Sequence, residues 1–286
     1  MYEKFYGFRE KPFALTPDPE FLYFGRHHKR ALLQLEYGLA NQAAFLLITG
    51  EVGAGKTTLI RYLLGRLDKD LSIGLVSNAT RDTGRLLQWV CSAYGLEFAG
   101  KDDVALSNTF IDFAIEEYAS GRRVVLIVDE AQNLGQARLE ELRVLSNINV
   151  DKHLLVQIVL VGQPELRDMM RMPQLRQFAQ RIGADYHIGR LDEDETLNYV
   201  RHRLRVAGSP RLDIFRTAAL KLVHASSQGI PRLVNQLCDT ALVYGYADQR
   251  ERIDAELMQE VIRDRVAGGI FPGRDVPAEQ PRVKTP

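Results

Sequence analysis

An α/β protein with a parallel sheet covered by helices, followed by a small all-α domain, is predicted by three observations. As far as residue 191, short apolar runs of strand length alternate with stretches of helical apolar spacing. From Asp192 to Ala267 the helical period stands alone. Between the first apolar run and a helix lies Gly50-Glu51-Val52-Gly53-Ala54-Gly55-Lys56-Thr57, which has the form G-x-x-x-x-G-K-[ST].

The elements follow in order. Residues 1–25 carry Phe5, Tyr6, Phe8, Pro12, Phe13, Pro17, Pro19, Phe21, Tyr23 and Phe24, which suits an irregular arm packed on a domain better than a long helix. Its rings either anchor the arm or border a base, and the burial preference of aromatics favours anchoring. His28 to Asn41 is an amphipathic helix by the spacing of Ala31, Leu32, Leu35 and Leu39. Phe45–Ile48 is the first strand, and Thr58–Leu64 continues the glycine loop as a helix. Further strands are expected at 71–76, 124–128, 154–161 and 184–188, with helices at 84–94, 105–120, 137–149, 165–171 and 174–180 between them. The α/β domain thus spans 26–191, and an all-α domain at 192–267 holds helices 193–206, 214–226, 231–246 and 255–266. Residues 268–286, with Pro272, Pro277, Pro281 and Pro286 among charges, are expected to be a disordered tail.

Bulk properties exclude more than they assign. The 286 residues, 45% hydrophobic and 26% charged, are those of an ordinary globular chain with a sizeable core. A formal net charge of zero gives no global attraction to nucleic acid or anionic lipid. Cys91 and Cys238 lie in helical patterns without a C-x-x-C partner, so buried thiols in a reducing compartment are expected rather than a disulfide or a metal site. No signal pattern opens the chain and no apolar run reaches the roughly 18 residues of a membrane helix, so a cytoplasmic protein is expected.

The loop's residue types suit phosphate. Glycines let main-chain N–H groups turn around phosphate oxygens at a helix N-terminus, Lys56 reaches the β/γ-phosphates, and the Thr57 hydroxyl ligates Mg²⁺. Gly50, Glu51, Val52, Gly53, Ala54, Gly55, Lys56, Thr57 and Thr58 are therefore the expected nucleotide-binding residues, with ATP and Mg²⁺ as cofactors. The run Val124–Val128 leads straight into Asp129-Glu130, which places two carboxylates at the carboxyl edge of the sheet, where such sheets bind ligands. Asp129 is expected to hold Mg²⁺ through its water shell and Glu130 to orient and polarise the attacking water. Gln163 reaches the same edge, either to sense the γ-phosphate and position water or to cap the helix that Pro164 opens. Gly229-Ile230-Pro231 puts Arg232 on the first turn of a helix.

Those motifs, in that order and followed by a helical lid, resemble the AAA+ ATPases over nearly the whole chain. Tyr6–Phe13, Thr16–Pro19, Phe21–Tyr23, Asp129–Leu134, Val161–Leu166 and Gly229–Asn235 look like the ExeA/GspA group of secretion ATPases and the related ATPases of exosortase/PEP-CTERM exopolysaccharide systems. The resemblance implies an oligomer, a ring or filament formed with ATP, in which Arg181 is the finger reaching a neighbour's γ-phosphate and Arg232 the lid arginine called sensor 2. A surface salt bridge at Arg181, or Arg176 as the finger, are the competing readings. Gln163 stands where many members have Asn, Ser or Thr. The founding secretion ATPases continue into a membrane helix and a wall-binding domain. This chain shows a short polar tail there, so an envelope role, peripheral at the inner membrane, runs through a partner protein. The same branch includes transposition ATPases of the TnsC and MuB kind, which makes a DNA-associated ATPase the alternative. A nucleotide switch without turnover is a third reading, disfavoured by Glu130.

Overall fold

The apolar runs become the strands of one parallel sheet. The computed structural model describes residues 1–66, 70–77, 84–150 and 153–274. In chain order the elements are α1 (Glu3–Tyr6), a 3₁₀ turn at Pro19–Phe21, α2 (Arg26–Ala40), β1 (Phe45–Gly50), α3 (Lys56–Leu64) and β2 (Leu71–Val76). Next come α4 (Leu86–Ala93), α5 (Asp103–Ala119), β3 (Arg123–Val128), a 3₁₀ turn at Ala131–Asn133 and α6 (Gly135–Leu145). A short pair, β4 (Asn149–Val150) and β5 (His153–Leu154), precedes β6 (Val156–Gly162), α7 (Pro164–Met170), a 3₁₀ turn at Pro173–Leu175, α8 (Arg176–Ala179) and β7 (Ile182–Ile188). The helices α9 (Glu193–Val206), α10 (Thr217–Ser227), α11 (Pro231–Ala247) and α12 (Ala255–Ala267) complete the described chain.

Two compact units result, one of Arg26–Val52 with Leu59–Ile188, the other of Met1–Gly25, Gly53–Thr58 and the residues from Gly189 onward. The first holds the sheet, whose order among the described residues is β2-β3-β6-β1-β7. Each neighbouring pair is parallel, with Ile48 opposite Val161 and Val128 opposite Leu160. Every residue of β1 and β6 is buried. Runs apolar on both faces need cover on both faces, which is why a parallel sheet flanked by helices is the outcome. Parallel pairing brings the carboxyl ends of β1, β6 and β3 to one edge, where Gly50, Gln163 and Asp129 stand.

The second unit packs α9–α12 around Val200, Leu204, Val234, Leu237, Met258 and Val261. The aromatic arm belongs to this core: Phe13 meets Phe215 edge-on at 5.8 Å and Tyr23 meets Tyr199 at 5.9 Å. Arg203 holds it further, donating from Nε to the Pro12 carbonyl at 2.5 Å and from an Nη to that of Ala14 at 3.1 Å. Its guanidinium lies 4.3 Å from the Phe21 ring centre. Asp192 and Glu195 form a capping box that starts α9, the local reason for the change of character at residue 192.

Three expectations need adjustment. Helix α6 stops at Leu145, not Asn149, because Ser146 turns its hydroxyl back onto the Arg143 carbonyl at 2.7 Å and the chain then pairs as β4–β5. Helix α10 starts at Thr217, not Ile214, because Phe215 is drawn into a parallel bridge with Ile253. The segment from 268 is packed at its start: Phe271 is buried under the Arg265 guanidinium, and Ser226 and Arg274 exchange two hydrogen bonds at 2.7 and 3.0 Å. The rest of the expected tail, 275–286, lies outside the described residues. Among the described residues no helix is long and apolar enough to cross a membrane.

Candidate nucleotide site

The glycine loop leaves β1 at Gly50 and enters α3 at Lys56. Gly53 and Gly55 have φ of 80° and 90°, the left-handed region that a Cβ makes costly. Lys56 is 5% exposed on the first turn of α3, with Thr57 and Thr58 half-buried after it. Ala54 is buried, Gly50 closes the strand, and Glu51 and Val52 form the outer part of the loop. A turn with two left-handed glycines leading into the N-terminus of a helix, joined by a buried lysine, is a cradle for an anion. These residues fit a nucleotide's phosphates.

Arg232 comes to this loop through its main chain. Its N–H donates to the Gly53 carbonyl at 3.2 Å, and a Cβ on Gly53 would stand 2.3 Å from the Cβ of Arg232. Pro231 opens α11 at its first position and Ile230 precedes it in extended conformation. Gly229 sets the approach: its φ is 72°, its carbonyl accepts from Leu191 N at 2.9 Å, and a Cβ there would lie 1.9 Å from the Leu191 carbonyl oxygen. The Arg232 side chain is exposed.

At the end of β3, Asp129 is 8% exposed; its N–H donates to Val76 O and its Oδ1 accepts from Glu130 N, both at 2.9 Å. Glu130 has φ 54°, uncommon for a residue with a side chain. Its Oε2 accepts from Gln163 Nε2 at 3.0 Å and from Gln132 Nε2 at 2.6 Å. The amide of Gln132 is completed by Gln163 N, which donates to its Oε1 at 3.1 Å. Gln163 does stand at the cap position of α7, yet its side chain makes no cap bond and goes to Glu130 instead. Gln132 was missed as a site residue. It lies within the Asp129–Leu134 block that carries the family resemblance, but only the pairing of β3 with β6 brings it to Gln163. A carboxylate held on fixed amide donors beside a second, buried carboxylate is suited to orienting water and to binding a hydrated divalent cation.

Arg181 lies elsewhere, before β7 and hence at the amino edge of the sheet. Its guanidinium donates to the Arg143 carbonyl at 3.1 Å, to Asn147 Oδ1 at 2.5 Å and to the Ser146 carbonyl at 3.2 Å. It caps the C-terminus of α6, and burial, with the neighbouring Arg143 guanidinium, pulls its pKa down. The competing arginine, Arg176, is exposed and among the described residues forms no ion pair.

Comparison with known proteins agrees with this architecture. Residues 40–170 match the family model described as AAA domain. General secretion pathway protein A of Aeromonas hydrophila is 42% identical over 254 residues, 88% of this chain and 46% of that protein. The chain therefore spans about half the length of that relative. Among solved structures, the Aeropyrum pernix ORC2 protein superposes with TM-score 0.67 at 18% identity, covering 94% of this chain and 73% of its own. Cdc6p from Pyrobaculum aerophilum gives 0.65 at 16%, covering 87% and 71%, and the Thermotoga maritima RuvB branch migration motor 0.53 at 18%, covering 90% and 74%. These likenesses establish the fold.

Proposed function

We propose that this chain, which belongs to the AAA+ P-loop proteins and is similar to general secretion pathway protein A, hydrolyses ATP as an oligomeric assembly or regulatory ATPase of a bacterial envelope secretion or exopolysaccharide export system. The observation that carries hydrolysis, rather than binding alone, is the Glu130 carboxylate held by two amide donors directly after Asp129. In this reading Gly50–Thr58 bind the phosphates, with Lys56 against the β/γ oxygens. Glu130 orients the attacking water and takes up its proton, while Gln163 steadies that carboxylate and the water. Thr57 and Asp129 hold Mg²⁺, which supplies charge neutralisation on the phosphates. Arg232, fixed to the loop by its main chain, offers its guanidinium to the same phosphates. A finger supplied by a neighbouring copy makes turnover depend on assembly. The bonds that occupy Arg181 favour Arg176 for that part.

The secretion assignment rests on the identity to the Aeromonas protein, and it makes a membrane-associated envelope component the expected partner. The test pairs phosphate release with mass. Wild-type protein should turn over ATP, Lys56→Ala should neither bind nor turn over, and Glu130→Gln should bind and lose turnover about a hundredfold or more. Light scattering of Glu130→Gln with ATP·Mg²⁺ should find assembly without duplex DNA. Assembly only on DNA at low salt would replace the secretion reading by the DNA-associated one.

A further inference from the structure

We propose that Gln132 is the positioning residue that aims Glu130 for hydrolysis; this rests on the reading of Glu130 as the group that orients water. Four observations lead there. The amide of Gln132 has one allowed orientation, because Gln163 N is only a donor and fixes Oε1 at 3.1 Å, which leaves Nε2 to face the carboxylate at 2.6 Å. Space for it is reserved: a Cβ on Gly162 would stand 2.8 Å from Gln132 Oε1 and 2.7 Å from Leu166 Cδ2. Glu130 sits at φ 54°, a backbone conformation uncommon for a residue with a side chain, and Gln132 Nε2 bonds the carboxylate that this backbone presents. Finally, Gln132 and Gln163 converge on the same oxygen, Oε2. When the Gln163 side chain is drawn to a phosphate, Gln132 keeps the carboxylate in place, because its own anchor is the Gln163 main chain and not the side chain.

Gln132 thus ties the end of β3 to the end of β6 across a single amide. Loss of that tie lets the carboxylate rotate off the water while the phosphate loop is untouched, so the rate should suffer and affinity should not.

The experiment compares wild type with Gln132→Met, which keeps the volume and removes both hydrogen bonds, and Gln132→Glu, which keeps the acceptor and sets a second carboxylate against Glu130. Steady-state kcat, KM for ATP, affinity for a fluorescent ATP analogue and Tm are measured. The expected result is a kcat lowered about tenfold in Gln132→Met and at least as far in Gln132→Glu, with KM, affinity and Tm near wild type. In single-turnover reactions, adding Gln132→Met to Glu130→Gln should cost less than twofold more, as it must if Gln132 acts through Glu130. A kcat within twofold of wild type in Gln132→Met, while Glu130→Gln abolishes turnover, overturns the positioning role alone. Equal losses from Gln132→Met in both backgrounds also overturn it. A wild-type protein without turnover overturns the hydrolysis reading and this inference together.

Discussion

Arg232 and Gly53 share a main-chain hydrogen bond of 3.2 Å, and the glycine has no room for a side chain because the Arg232 Cβ occupies it. The glycine of the loop and the first turn of α11 are therefore fitted to one another. Gly53→Ala should combine left-handed strain of about 1–2 kcal/mol with that overlap, and relieving both would displace the loop from α11. A nucleotide-binding titration should find affinity lowered tenfold or more, with the far-UV circular dichroism unchanged. Unaltered affinity would separate the loop from Arg232 functionally.

Arg181 and Arg176 make a contrasting pair. Removing Arg181 takes three donors from the end of α6, two of them directed at main-chain carbonyls, and should cost about 1 kcal/mol after allowance for solvent screening. A Tm lower by about 2–4 °C is expected for Arg181→Ala and no change for Arg176→Ala. Hydrolysis assays on the same two proteins then identify the finger: loss in Arg176→Ala at unaltered Tm assigns it there, whereas loss in Arg181→Ala beyond what its Tm accounts for returns it to Arg181.

The arm is a structural part of the helical unit. Phe13 is 1% exposed and packed on Phe215, so Phe13→Ala should cost about 3–5 kcal/mol. Limited proteolysis should then cut within residues 189–274, which would stay protected if the arm were only a surface strap.

His202 gives the helical unit a pH dependence of known sign. Burial, then Arg205 and Arg203, depress its pKa below the ordinary 6.5. The unfolded chain therefore binds the proton more readily, so the stabilisation is complete above about pH 6.5 and is lost as pH falls from there through the depressed folded value. Thermal melts should show Tm dropping below pH 6.5 in wild type, and the drop should be smaller in His202→Gln.

Most of the fold was legible because its signals are contiguous. A strand buried on both faces is apolar along most of its length, and β1, β3 and β6 are, with Thr49, Arg123 and Gln157 the exceptions; the phosphate loop and the Asp129-Glu130 step are likewise strings of neighbours in the chain. The end of α6 differs from the expected Asn149 because Ile148 continues the apolar content beyond the helix, while Asn149 already pairs as strand with Leu154. Helical periodicity does not record where a serine hydroxyl closes a helix.

The sequence alone determined the sheet and helix content, the phosphate loop with its helix, and the acids at a strand end, since each depends on the spacing of adjacent residues. Tertiary structure decided that Gln163 and Gln132 share one Glu130 oxygen, that Arg181 is occupied by α6, and that the arm belongs to helices some 190 residues away, as the Arg203 to Pro12 bond records. Those are relations across paired strands and between distant segments. Burial and hydrogen-bond geometry settle them only once the chain has closed on itself.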